Sequence, residues 1–590
     1  MHLAPSTAWV WLIACAVIIL FFPLAAQFGN LKGKLSSFRT WVWAIALLGI
    51  VAAGFMPFTF DPDITYFEVQ PFIFFITGTL LGVLFLGEFH RLSALDKQEH
   101  TQRVHAERRT RYSKAVEQLA YPNPAVRASA ISTLAGLVDE WLADEQLSVE
   151  ARQKEGQVIV NALCAYVRSP FARAFKAEAF ESDTPPANYA GDFATDLAAF
   201  RGEQDVRRSV FVEMSKRSST LAENEKGEVT VVPGAWSGFE FDFSRAVVFY
   251  PLSNLTIENA DFASATFYGP ADFSGATFRG DTSFSAAQFT ANASFHGANF
   301  TGETDFSDAV FSAAADFAVS TFESDADFSR LNTTGIASFT AITFGGKAIF
   351  TASTFHDEAH FATSVFNRPA VFSESLFGGA ARFAGIATKQ SAMFLGTSFA
   401  GAADFSGASF THLADFGRAQ FDGDATFSQA SFIELPRTSY DRELPQYANF
   451  ANAAFAQDAD FSQTTFTACV GFGGVTFARA VSFNGVSFEG AYFEGATFGQ
   501  RADFRQTSFM FVKPSFEALE RRLPRARFSA HANPQDYLFE ARPESTHGFS
   551  CGTATLLNRT FVLPLGTVLY DPDSWDEEKQ DYTRVSEPAK

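Results

Sequence analysis

His356-Asp357-Glu358-Ala359-His360 is the first stretch that could do chemistry. It mimics the metalloprotease zinc signature, with Asp in the place of the general base. That chemistry needs a helix, which sets positions i and i+4 on one face. Here the pentad falls between Phe355 and Phe361, inside a run whose spacing is not helical, so it reads as surface. The cysteines Cys15, Cys164, Cys469 and Cys551 lie far apart and share no metal-ligand spacing. Carboxylates such as Asp325 and Asp327 alternate as exposed strand positions do. No phosphate-binding glycine loop, G-x-S-x-G elbow or catalytic Cys/His pairing is present. His90, His100 and His105 are too scattered to be ligands. The expectation is a protein that is not an enzyme, with no cofactor and no metal.

The elements that would position these residues divide the 590-residue chain into four parts. Residues 1–87 carry three uncharged stretches, Ala8 to Phe28, Thr40 to Phe60 and Val69 to Gly87, each long enough to cross a hydrocarbon core as a helix. Lys32, Lys34 and Arg39 follow the first and a row of arginines follows the third, whereas Asp61, Asp63 and Glu68 follow the second. The positive-inside rule then predicts a multi-pass inner-membrane protein with its N-terminus outside and everything after residue 88 in the cytoplasm. A cleaved signal peptide is disfavoured, because no basic segment precedes Ala8.

Residues 88–230 turn helical. Asn123 and Pro124 supply an N-cap and a first helical residue. Ile131, Leu134, Val138 and Leu142 then form one apolar stripe. Further helices are expected at Val149 to Arg168 and Glu203 to Lys216, with Ser218 to Glu228 as a linker. The antiparallel pairing resembles a HEAT-like unit.

The composition holds one anomaly, 71 Phe against 13 Tyr and 7 Trp. From Phe262, steps of eleven reach Phe at all sixteen positions to Phe427. From Phe267 they reach Phe at fourteen of sixteen, with Thr333 and Thr388 the exceptions. A small residue often stands two before each Phe, as in Ala271-Asp272-Phe273-Ser274-Gly275. One large and one small inward residue every five or six suits a square coil of 22 residues. Residues 262–511 supply about eleven coils, a rod of roughly 50 Å at ~4.8 Å per coil.

This pattern resembles the pentapeptide-repeat family, whose unit is A-(D/N)-(L/F)-x-x. The resemblance implies a right-handed quadrilateral β-helix over 238–511. The segment from Arg111-Tyr112-Ser113-Lys114 onward is similar to the helical part that precedes the repeats in some bacterial members.

Phe432 and Phe450 stand 18 apart where six is expected, so an insertion at 433–449 leaves one corner, carrying Tyr440 and Tyr447. Residues 238–511 hold 28 acidic and 13 basic residues, most of the chain's net charge of −20. Such acidity argues against direct nucleic-acid binding. One outward column reads Asp305, Asp327, Ile349, Val371, Met393, Asp415, an apolar waist between acidic ends. Ile349, Val371, Met393, Tyr440 and Tyr447 are the candidate contacts for a protein partner whose identity the sequence does not give.

The expected function is a membrane-tethered interaction scaffold. The rivals are an acidic mimic of duplex DNA that regulates a DNA-binding protein, as in soluble relatives, and a membrane sensor or channel-associated protein. Net charge of one per ~3.3 Å of rod, against one per ~1.7 Å for duplex DNA, weighs against mimicry. In residues 512–590 Ser515 is expected to cap a short helix carrying Phe516, Leu519 and Leu523 that plugs the coil. The rival is a second rod on the same face, giving a homo-oligomer. The tail to Lys590 reads as a solvated end.

Overall fold

An inward ring every five or six residues leaves two residues per face for backbone pairing, and that is the strand length observed. The computed structural model describes residues 99–223, 229–433, 448–517 and 524–590, with Gly82 and Gly87 before them. From Phe241 onward the chain forms a β-solenoid of about 12 turns. Each regular turn carries four short strands, for example Ala271–Asp272, Thr277–Arg279, Thr282–Ser283 and Gln288–Phe289. Each pairs in parallel with residues 22 further on, as in Ala293↔Ala315 and Asn299↔Thr321.

The bore is aromatic. Rings one turn apart stack nearly parallel, as Phe289 on Phe311 at 4.3 Å and Phe322 on Phe344 at 5.2 Å. Neighbouring columns meet edge to face, as Phe339 and Phe350 do at 5.2 Å and 87°. Each such pair adds ~0.5–1.5 kcal/mol beyond the area it buries. The residues two before the rings are mostly small and buried, as at Ala276 and Ala298, though Ile342 is buried beside Phe344. The two positions without a ring compensate for its volume. Thr333 and Thr388 point inward, and the residues two before them are Leu331 and Ile386 rather than Ala. Size lost at one position returns at the other.

Corners follow from the same packing. After Phe273 the chain turns through Gly275 at φ 64°, a left-handed conformation that glycine adopts without strain. At Gly346 the constraint is space, since a Cβ would lie 2.2 Å from the backbone carbon of Ser324 one turn before. The insertion leaves the register intact. Asp415 pairs with Asn449, and Phe416 stacks on Phe450 at 4.9 Å. Residues 434–447, with Tyr440 and Tyr447, lie outside the described residues.

Among the described residues a helix over 99–119 comes first, and three more follow it before the solenoid: α1, Pro124–Leu142; α2, Val149–Arg168; and α3, Phe193–Ser215. Asn123 and Ser148 cap α1 and α2. α3 starts ten residues before the expected Glu203, because Gly202 is not a helix end. A Cβ there would meet the Pro124 ring at 2.9 Å, so the glycine marks a close approach. The expected linker is instead a hairpin, Thr220–Glu223 against Val229–Val232. The helices cover the first turn: Phe211 packs on Phe243 at 4.6 Å with the rings tilted by 36°, and the Gln157 amide bonds both N–H and C=O of Glu240. An open sheet edge is thereby satisfied.

Beyond residue 511 the structure departs from the sequence reading. Phe516 stacks on Phe493, Arg527–Ser529 joins the face of Thr497–Phe498, and Val568–Tyr570 joins it in turn. Leu519 and Leu523 lie outside the described residues. The tail is not a solvated end: Phe561, Leu563 and Leu569 are fully buried, and a hairpin, Cys551–Leu556 with Arg559–Pro564, packs there.

The membrane localisation is corrected. Among the described residues no helix is long and apolar enough to cross a membrane. The three apolar stretches, apart from Gly82 and Gly87, lie outside those residues. The helices that are described carry Arg127, Arg168, Glu203 and Arg207, charges that a hydrocarbon core penalises heavily.

Candidate interaction surface

On the series that starts at Phe262, the residue before each Phe points outward, and in most turns it has a folding task. Asp305 accepts a hydrogen bond from the Ser307 N–H at 2.8 Å, Asp327 from Ser329 at 2.8 Å and Asp415 from Gly417 at 2.9 Å. An Asp or Ser here satisfies the first amide of the corner, which explains its recurrence before the ring. Ile349, Val371 and Met393 occupy three consecutive slots of this kind and offer no acceptor.

These three are neighbours in space. Asp327 pairs with Ile349, Ile349 with Val371, Val371 with Met393, and Met393 with Asp415. All three apolar side chains are half-buried on the flat outer face. Toward the N-terminal end the stripe meets a groove of about 540 Å³ lined by Asp261, Asp281, Glu303, Asp305, Asp325, Asp327 and Ile349. Arg330, one corner away, is held by both oxygens of Asp308, at 2.7 and 2.6 Å. That bond holds the Asp308 carboxyl below its usual range.

The zinc-like pentad crosses a corner. His356 is exposed, while His360 lies on a two-residue strand and bonds Glu358 at 2.8 Å. Arg382, its ladder neighbour, bonds the same carboxylate at 2.9 Å. The His360 hydrogen bond, with Arg382 behind it, lowers the Glu358 pKa. In the helical region a second cavity of about 540 Å³ is lined by Tyr166, Glu203 and Arg207. Glu203 accepts from Arg127 at 2.8 Å and Arg207 at 2.7 Å, and burial pushes the Tyr166 hydroxyl up to about 12. Its charges are already paired.

Among the described residues one group could converge on a metal ion: His531, Asp571 and Asp573. Forty residues separate the imidazole from the first carboxylate, so no motif marks it. Extending the Phe register past 511, to Phe528 and Leu569, was the signal that could have joined them.

A family model, Pentapeptide repeats (9 copies), matches residues 262–310 and 461–508. No curated protein and no solved structure matches the chain.

Proposed function

We propose, for a chain that belongs to the pentapeptide-repeat family, a non-enzymatic scaffold that docks a protein partner on the face bearing Ile349, Val371 and Met393. The observation that carries this reading is the forfeited corner cap. Three consecutive turns give up an Asx hydrogen bond, worth ~1 kcal/mol each, and, unlike His360 and Arg382, which also lack it on another face, put apolar side chains in its place. Departures from a local folding rule concentrate where a sequence answers to something besides folding.

The stripe covers three turns only, whereas a stable interface takes about 800 Å² per partner. The footprint therefore reaches into the acidic groove, and the partner's rim is basic. An apolar stripe is not what a mimic of duplex DNA needs, because it interrupts the line of charge.

The test is a photo-crosslinking residue at position 371 and another at 316, on a different outer face, each in the cells that make the protein. A discrete partner captured from 371 and not from 316 is expected. With the crosslinker kept at 371, the double substitution Ile349→Asp, Met393→Asp should abolish capture while leaving the fold intact, since Asp restores the cap. Equal capture from both faces, or capture indifferent to the double substitution, refutes the reading.

A further inference from the structure

We propose that His531, Asp571 and Asp573 form a divalent transition-metal site on the C-terminal turns of the solenoid, tying the last two strands of one face together. Their donor atoms all lie within 4.8 Å of one another. The His531 Nε2 is 3.2 Å from Asp571 Oδ1 and 3.8 Å from Asp573 Oδ2. Bonds of ~2.0–2.2 Å at near-tetrahedral or octahedral angles need donors roughly 3.0–3.5 Å apart. The first pair meets that, and Asp573, with a side chain 81% exposed, can swing the remaining distance.

Backbone pairing fixes the arrangement. Ser529 pairs with Tyr570 across the ladder, and Ala530 N–H bonds the Tyr570 carbonyl at 2.8 Å. His531 and Asp571 thus leave adjacent strands side by side. The His531 carbonyl accepts from Arg559 at 3.2 Å, and its N–H bonds Ser529 Oγ at 3.1 Å. Asp571-Pro572-Asp573 opens a single 3₁₀ turn in which Asp571 accepts the Asp573 N–H at 3.1 Å.

Asp571 is the anchor. Its side chain is 2% exposed, and Arg584 bonds the oxygen Oδ2. The facing oxygen, Oδ1, is the one turned to the imidazole. A carboxylate held by a cation on one oxygen while ligating through the other is the outer-shell arrangement that orients metal ligands. Two carboxylates and one imidazole, less one guanidinium, leave a net negative pocket. The N,O,O donor set favours manganese, iron, nickel or zinc over magnesium or calcium, which prefer oxygen alone. Exposure of Asp573 and His531 leaves the remaining positions to water.

Metal binding at this place would join the strand Arg527–Ser529 to Val568–Tyr570, so its signature is stability of the end turns. The full chain, stripped with a chelator, is titrated calorimetrically with Mn²⁺, Ni²⁺, Zn²⁺ and Mg²⁺. One saturable site per chain is expected, with Mg²⁺ weakest, and with slowed amide exchange at Ala530 on loading. His531→Ala and Asp573→Asn, both at exposed side chains, should each weaken uptake by more than ~10-fold. His356→Ala with His360→Ala should leave it unchanged. No saturable uptake, uptake indifferent to His531→Ala and Asp573→Asn, or uptake lost only in the His356/His360 variant overturns the proposal.

Discussion

Thr388 lies between Phe366 and Phe410 in a column where every other turn from Phe278 to Phe432 supplies a ring. Its Oγ1 is buried without a hydrogen-bond partner, and Ile386 fills the slot that Ala276, Ala298 and Ala408 take elsewhere. Thr388→Phe alone should overpack the turn and cost about 1–3 kcal/mol. Ile386→Ala alone should leave a cavity and cost about 2–5 kcal/mol. Together they restore the regular turn. The ring regains stacked neighbours above and below, and the orphan hydroxyl, a burden of about 1–3 kcal/mol, is gone. The double variant is therefore expected near or above native stability, a favourable coupling of at least ~3 kcal/mol, the sum of the smallest single costs. Long repeat arrays depart from two-state unfolding, so the assay is native-state amide exchange at Phe394 and Phe405 beside urea unfolding. Single effects that add to within ~0.5 kcal/mol would show that the two positions do not share volume.

Phe339→Asp should unfold the central turns, because it places an unpaired carboxylate in the ring stack; Ser338→Asp, which points outward, should change thermal stability little, and equal melting temperatures would contradict the register. Burial raises the Glu494 pKa, despite a Ser515 hydrogen bond that lowers it. The folded state then holds its proton more tightly than the unfolded one. This stabilisation is complete below the ordinary Glu pKa and is lost as pH rises through the raised one. Glu494→Gln should accordingly raise the melting temperature at pH 8 and leave it unchanged at pH 4, and the same increment at both pH values would contradict it.

Much of the fold was legible because the core repeats. The beat of five and six sets the turn length, and the outward alternation places Ile349, Val371 and Met393 in one column. Asn123 marked a helix start because capping is local. What escaped depends on contacts distant in sequence. The helix expected from Glu203 begins at Phe193 and runs through Gly202, which packs against Pro124. The last turns were hidden because the spacing drifts: Phe472 to Phe493 is 21, and Phe504 to Phe516 is 12. The pair His531 and Asp571 exists only through the ladder that the drift conceals.

The dozen residues added at 433–449 change nothing in the pitch on either side, and this has a consequence for inheritance and for engineering. A turn is counted by its rings rather than by its length, so a corner can take on or shed sequence without asking the rest of the protein to adjust. Such a corner is a socket. Segments of unrelated origin could be exchanged there, one lineage trading its recognition element for another while the rod that carries it stays the same.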